Sequence, residues 1–402
     1  MNKTNIFFIL SASLLLAPLT STSAQAWQTV DAYQAVPGLS ANASDITSDP
    51  TGALIYSVGS VTPDVEGNRT AVVRASADQG ATWENLDAYL EPGWQFAHFR
   101  AVGADSYNRV FAAGHLWHFG VVNVVWMVRE SSDNGVTWGT SDLFEQIPGG
   151  RSSCGDVKVS PSGMVFAAGY GGTSAGVSWV VRKRLPGQAA FVTADAIASS
   201  ISGEARSIGF HPTIGVFVVG RVANVWTVRR SPDGLNWSTV DSFKDGGSTS
   251  SAESIVVDQV GTIYVAGRAD QTITTKVKGR TTTTIVNNWV VRRSTNGGTV
   301  WTVVDRFGAL PQGSSISAEG MTVGSGGVIY VAGAMPDSWL VRKGIPGVNG
   351  TMTWLTSEEF LVPGRTASAW GITTGLGGSI YATGGGSDSA HVANWVTRKL
   401  IP

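Results

Sequence analysis

Three arginines, Arg206, Arg221 and Arg268, stand in this chain with Glu253 among them and a further acid, Glu319, downstream. Guanidinium groups gathered at one cleft would hold a carboxylate or another anion through charge-assisted hydrogen bonds, often two at a time. Each could equally be paired with Glu204, Glu253 or Asp270 on a solvated rim, where ion pairs contribute little. Glu253, Glu319 and Asp156 are also candidate carboxylates for glycoside hydrolysis, which needs two of them about 5 to 9 Å apart, a distance sequence does not carry. Arg100 adds a cation, and His115, Trp117, Tyr170 and Trp370 offer rings that could stack on a sugar or simply pack. The histidines at 98, 115, 118, 211 and 391 lack the spacing of a zinc site, and loop histidines facing water account for them more simply. Nothing in the chain calls for a cofactor or a resident metal.

Residues so far apart can meet only if the chain returns repeatedly to one place, and it does. Ile55-Tyr56-Ser57-Val58-Gly59 recurs with variations that end in Gly114, Gly169, Gly220, Gly267, Gly333 and Gly384. A second motif follows each copy and ends in Arg74, Arg129, Arg182, Arg229, Arg292, Arg342 and Arg398, opening on Trp in all but the first. Apolar and polar residues alternate within these runs, and Gly, Asn and Ser clusters separate them, so they read as short strands joined by turns. A further strand, such as Trp237-Ser238-Thr239-Val240-Asp241-Ser242-Phe243, follows six copies. The seventh lacks it, while Trp27-Gln28-Thr29-Val30-Asp31-Ala32-Tyr33 carries that pattern ahead of the first copy. One unit cannot bury both its faces, and an open array would leave two bare edges. The expectation is an all-β, seven-bladed β-propeller of four-stranded blades, with the N-terminal strand completing blade 7. An open solenoid would need capping repeats, and none is evident.

This frame has its own variable positions. Two places before the apolar residue of each first strand stand Ser44, Arg100, Gly155, Arg206, Glu253, Glu319 and Trp370. Directly after the second-strand Gly stand Ser60, His115, Tyr170, Arg221, Arg268, Ala334 and Gly385. Framework positions repeat while these differ, as expected for a site grafted on a scaffold. The ligand-binding set read from them is Arg100, His115, Tyr170, Arg206, Arg221, Glu253, Arg268, Glu319 and Trp370, carried on loops that converge on the channel.

Four turns carry a resemblance. Ser76-Ala77-Asp78-Gln79-Gly80-Ala81-Thr82-Trp83 and Ser131-Ser132-Asp133-Asn134-Gly135-Val136-Thr137-Trp138 resemble complete Asp boxes of sialidase-like propellers. The turn at Asp233 and Trp237 is one residue shorter, and the one with Gly298 and Trp301 has Asn296 where Asp is expected. The resemblance implies a propeller with these turns on the face away from the ligand. The Asp would accept backbone N–H bonds, the Gly take a conformation closed to other residues, and the Trp pack between blades. Calcium at Asp78 or Asp133 would find too few carboxylates. The resemblance also implies an arginine triad, an Arg-Ile-Pro motif and a late Tyr-Glu pair, and that set is incomplete here, so no catalytic residue is carried over.

With formal net charge -1 and only 14% charged residues, the chain has no bulk electrostatic reason to bind nucleic acid. Residues 1–26 read as a cleaved export signal: Lys3, an apolar run over 6–16 too short for a stable span, and Ala24-Gln25-Ala26 as the cleavage site. The mature domain would then be 27–402, secreted or periplasmic, without membrane insertion. Cys154 is the single cysteine, so no internal disulfide forms; it suits a core, or a thiol near the mouth. An insertion between Asp270 and Asn288 reads as a hairpin turning at Lys278-Gly279 above the ligand face. Together these point to an exported propeller that binds a glycan or another anionic ligand. A sialidase-like exo-glycosidase and a protein-interaction scaffold are the alternatives.

Overall fold

The computed structural model describes residues 26–401, apart from 119, 121, 122, 175, 362–365 and 388–391. The expected leader thus lies almost wholly outside the described residues. The remainder forms seven antiparallel sheets of four strands each. In six the strands follow chain order, beginning with Ala41–Ser48, Phe96–Ala104, Ser152–Val159, Gly203–His211, Gly246–Val257 and Ser317–Val323. The seventh comprises Ala367–Thr374, Ile380–Ser387 and Ala393–Ile401, and its fourth strand is Ala26–Tyr33 from the start of the chain. Ala26 pairs with Ile401 and Tyr33 with Trp395, so the ring closes within one sheet.

First strands touch first strands all the way round and line the central channel. The hydrophobic core lies between blades: one cluster joins Tyr56 and Val58 of blade 1 to Phe99 and Val102 of blade 2, and others repeat this around the ring. The repeated Gly and Trp explain each other here. A Cβ on Gly169 would fall 2.1 Å from the Ser153 carbonyl oxygen and 2.7 Å from the Trp126 ring of the preceding blade. Only glycine lets the buried indole and the first strand come that close.

The repeated Arg has an equally regular partner. Arg74, Arg129, Arg182, Arg229, Arg292, Arg342 and Arg398 each reach back to an acid on the fourth strand of the preceding blade: Asp31, Asp87, Asp142, Asp195, Asp241, Asp305 and Glu358. Arg182 Nε lies 2.7 Å and Nη2 2.9 Å from the Asp142 carboxylate, and its guanidinium stands 4.1 Å from the Phe144 ring centre. Arg74 with Asp31 repeats the clasp across the closure.

The turns between third and fourth strands use their polar residues internally. Asp78 accepts from the Thr82 backbone N–H (2.8 Å), the Thr82 hydroxyl (2.6 Å) and the Ser76 hydroxyl (2.9 Å), and Asp133 does the same with Thr137 and Ser131. These bonds, the Thr hydroxyl foremost, pull both carboxyls down to about 2. Asp233 accepts from the Leu235 and Asn236 N–H groups, and Asn296 from the Val300 N–H. Gly80, Gly135 and Gly298 hold φ of 92°, 95° and 85°. Trp83, Trp138, Trp237 and Trp301 pack into four inter-blade clusters. These turns follow Ser76 and its equivalents, which pair through Ile55 with Ser48 at the far end of the first strand from Ser44.

Cys154 is fully buried, and burial with Asp156 and Asp142 nearby pushes its thiol well above the usual range. It is a core residue, and the reactive-thiol alternative falls away. The insertion is an extension of two strands, Ile263–Val277 and Arg280–Ser294, turning at Lys278-Gly279. It rises from the mouth end of blade 5, yet none of its residues lines the channel. No helix among the described residues is long and apolar enough to cross a membrane.

Candidate functional site

The variable residues sit on strands, not on loops as the sequence suggested. Each first strand breaks register once, between Ala43 and Asp45, Phe99 and Ala101, Cys154 and Asp156, Ala205 and Ser207, Ala252 and Ser254, Ala318 and Gly320, and Ala369 and Gly371. The residues left unpaired are Ser44, Arg100, Gly155, Arg206, Glu253, Glu319 and Trp370. A bulge re-aims its side chain without unpairing the rest of the strand. The fold repeats that device seven times and fills it with a different residue each time.

The channel encloses about 600 Å³. Of the nine predicted ligand residues, Arg100, Arg206, Glu253, Glu319 and Trp370 line it. His115, Tyr170, Arg221 and Arg268 lie on second strands one layer out and are not among its lining residues. The reason is topological, because the first strand is innermost and shields its neighbour. Sequence reasoning passed over Asn42, took His98 for a loop histidine facing water and took Glu204 only for a rim ion-pair partner, whereas all three line the channel and His98 stands on a strand. They stand two residues before a bulge, so strict alternation along the strand was the signal that could have found them.

Arg206 is the hub of one side. Its guanidinium lies 2.6 Å from Glu204 and 2.9 Å from Glu253. Arg221 approaches Glu204 at 3.4 Å and Arg268 approaches Glu253 at 3.9 Å, whereas Asp270 accepts from Ser248 and Thr249 instead. Burial opposes the charge on Glu204, but Arg206, Arg100 and Arg221 hold its carboxyl below its ordinary value. Burial likewise opposes the Arg206 charge, and Glu253, Glu204 and Glu319 together raise its affinity for the proton. Glu319 is pushed up to about 6, by burial and then by Glu253. Glu253, beside Arg206 and Arg268, and Glu319, raised by burial and by Glu253, thus differ in surroundings.

The opposite side carries Arg100, Lys158, Asp45 and Asp156. Arg100 lines the channel with no ion-pair partner among the described residues, and Trp370 leaves 37% of its surface open. His98 hydrogen-bonds Ser44 Oγ at 2.9 Å and Ser60 Oγ at 2.8 Å. His115 meets Ser153 at 3.0 Å and stacks on Phe96. Deeper in the channel Lys158 lies 3.9 Å from Asp156. Burial would lower its pKa, but Asp156 and Asp45 raise it, so it stays an ammonium. Asp156 and Asp45 are themselves tied to the backbone of the next blade, at Ile208 and Val102. No group of three or more His, Cys, Asp or Glu side chains able to hold a metal ion occurs among the described residues.

No family model matches the chain, and no curated protein does. Solved structures do. A periplasmic gluconolactonase from Pseudomonas aeruginosa is similar over 81% of this chain and 87% of its own, with 13% identity and a TM-score of 0.53. A protein of unknown function from Dyadobacter fermentans is similar over 93% and 98% respectively, with 11% identity and a TM-score of 0.51. At such identities the likeness shows the fold alone.

Proposed function

We propose that this is an exported propeller whose channel mouth binds a hydroxyl-rich anion, of the class of a sugar acid or an acidic glycan terminus. The observation that carries the reading is Arg100: whereas Arg206 is held by Glu204 and Glu253 and Lys158 faces Asp156, it lines the channel with no ion-pair partner among the described residues. A ligand carboxylate would supply that partner. Trp370, also lining the channel, offers a partly open ring face. The four turns that resemble those of sialidase-like propellers support kinship of the scaffold and sit at the wrong end to support a ligand. The Pseudomonas protein is a gluconolactonase by its name, which is compatible with a sugar-acid ligand and leaves the ligand here to the residues.

Arg206 is a poor choice for testing this, since its removal would leave Glu204 and Glu253 buried without a counter-charge. Arg100→Ala with Arg268→Ala spares that hub. Calorimetry against sugar acids, after a glycan-array screen, should show binding that weakens with salt. The double variant should lose at least about tenfold, as expected for one charge-assisted bond. Failure of the wild type to bind any glycan or sugar acid would sink the reading.

A second reading, hydrolysis of a glycoside, is favoured by the Glu253 and Glu319 pair. A protonated Glu319 could donate to a leaving oxygen while the Glu253 carboxylate, beside Arg206, acts on the sugar side. Turnover of any bound glycan by wild type and its abolition in Glu319→Gln would establish it; turnover unchanged in that variant would exclude it.

A further inference from the structure

Across the channel from that acid pair, a different constellation joins blades 1 and 2. Ser44 Oγ lies 2.9 Å from His98 Nε2, and the other ring nitrogen, Nδ1, lies 2.8 Å from Ser60 Oγ. Ser60 is buried, so the imidazole is fixed from behind while Ser44 faces the channel. Burial, with His115, Arg100 and Arg69 nearby, holds His98 well below its ordinary pKa. The ring is therefore neutral at physiological pH, with one nitrogen free to accept. When Nδ1–H donates to Ser60, Nε2 accepts the Ser44 hydroxyl proton. A hydroxyl bonded to an imidazole that a third group orients is the arrangement that activates a serine nucleophile.

We propose that Ser44 is a nucleophile and His98 its general base for hydrolysis of an ester or lactone held in the mouth, with Ser60 a positioning residue and Arg100 facing the developing oxyanion. The Ser44 oxygen attacks the carbonyl carbon as its proton passes to Nε2. The C–O bond to the alcohol then breaks, and that oxygen takes the proton from Nε2, leaving an acyl-Ser44 ester. Water attacks in the same way, giving its proton to Nε2 and releasing Ser44 and a carboxylic acid. The charges of Arg100 and Arg69 disfavour the imidazolium formed on the way. The same charge at Arg100 favours the oxyanion, so the step leans on electrostatic stabilisation more than on base strength.

This inference rests on the mouth being the ligand site but not on its preference for anions, so the test uses neutral probes. The purified protein is treated with a fluorophosphonate and mapped by mass spectrometry, and is assayed on p-nitrophenyl acetate and δ-valerolactone. The expected result is an adduct on Ser44 and turnover that Ser44→Ala and His98→Gln each lower by about 100-fold or more. Ser60→Ala should keep the adduct and lower kcat with little change in KM, which a purely structural role would not do. Thermal melts of Ser44→Ala confirm that the fold is kept. Equal turnover in wild type and Ser44→Ala, or neither adduct nor turnover in the folded wild type, overturns the proposal. Sugar-acid binding measured on the same samples separates this failure from failure of the anion site.

Discussion

Glu319 shows how a single side chain reports its surroundings. Its pKa in the folded chain, about 6, lies above the ordinary 4.5 because burial and Glu253 oppose the charge. Folding thus favours its protonated form. The stability this contributes is fully present below about pH 4.5 and is lost as pH rises through about 6, by up to about 2 kcal/mol. Glu319→Gln cannot lose it. Melting curves from pH 4.5 to 8 should therefore show the difference between variant and wild type shifting in favour of the variant and levelling off above pH 7. A difference that does not change with pH would mean that Arg206 and Arg268 already neutralise the group. The residue types in the mouth were legible in the sequence; their protonation was not, because it depends on neighbours from other blades.

At the scale of elements, the inter-blade clasps recur more regularly than any other contact. Burial outweighs the arginine at Asp31, Asp142 and Asp241, raising their carboxyls, and it pushes Glu358 up to about 7. Desolvation of that size argues that the clasps fix how blades align more than they add net stability. Arg182→Met alone should destabilise by about 3–5 kcal/mol, because Asp142 is left buried and uncompensated. Adding Asp142→Leu should recover most of that loss. A double-mutant cycle in urea measures the coupling, and additive effects would show that the two groups do not depend on each other. The motif ending in Arg and the acid of the fourth strand were both visible as repeats. Their pairing was not, since each partner belongs to a different copy.

At the scale of the whole molecule, closure depends on Ala26–Tyr33. That strand supplies the fourth strand of blade 7 and, through Asp31, the clasp to Arg74 of blade 1. Removing residues 26–33 would leave Ala393–Ile401 as a bare edge and one interface without its acid. The expected outcome is self-association on size-exclusion chromatography with light scattering, with faster amide exchange in blades 7 and 1. A monomer with unchanged protection would show that the ring holds without the strand.

The scaffold could be read from the chain alone: seven copies, four strands in each, and an unpartnered first strand whose pattern matched the one missing at the end. Those features are local periodicities, and a repeat writes them seven times. The chain also marked the positions of the mouth, because residues that differ among otherwise repeated neighbours stand out. Which of those residues face the channel follows from the packing of the strands. A bulge turns the first-strand set inward, and the first strand screens the second-strand set behind it. Tertiary structure alone also brought Ser44 to His98 and Arg206 between two glutamates, because these contacts cross from blade to blade and no spacing along the chain encodes them.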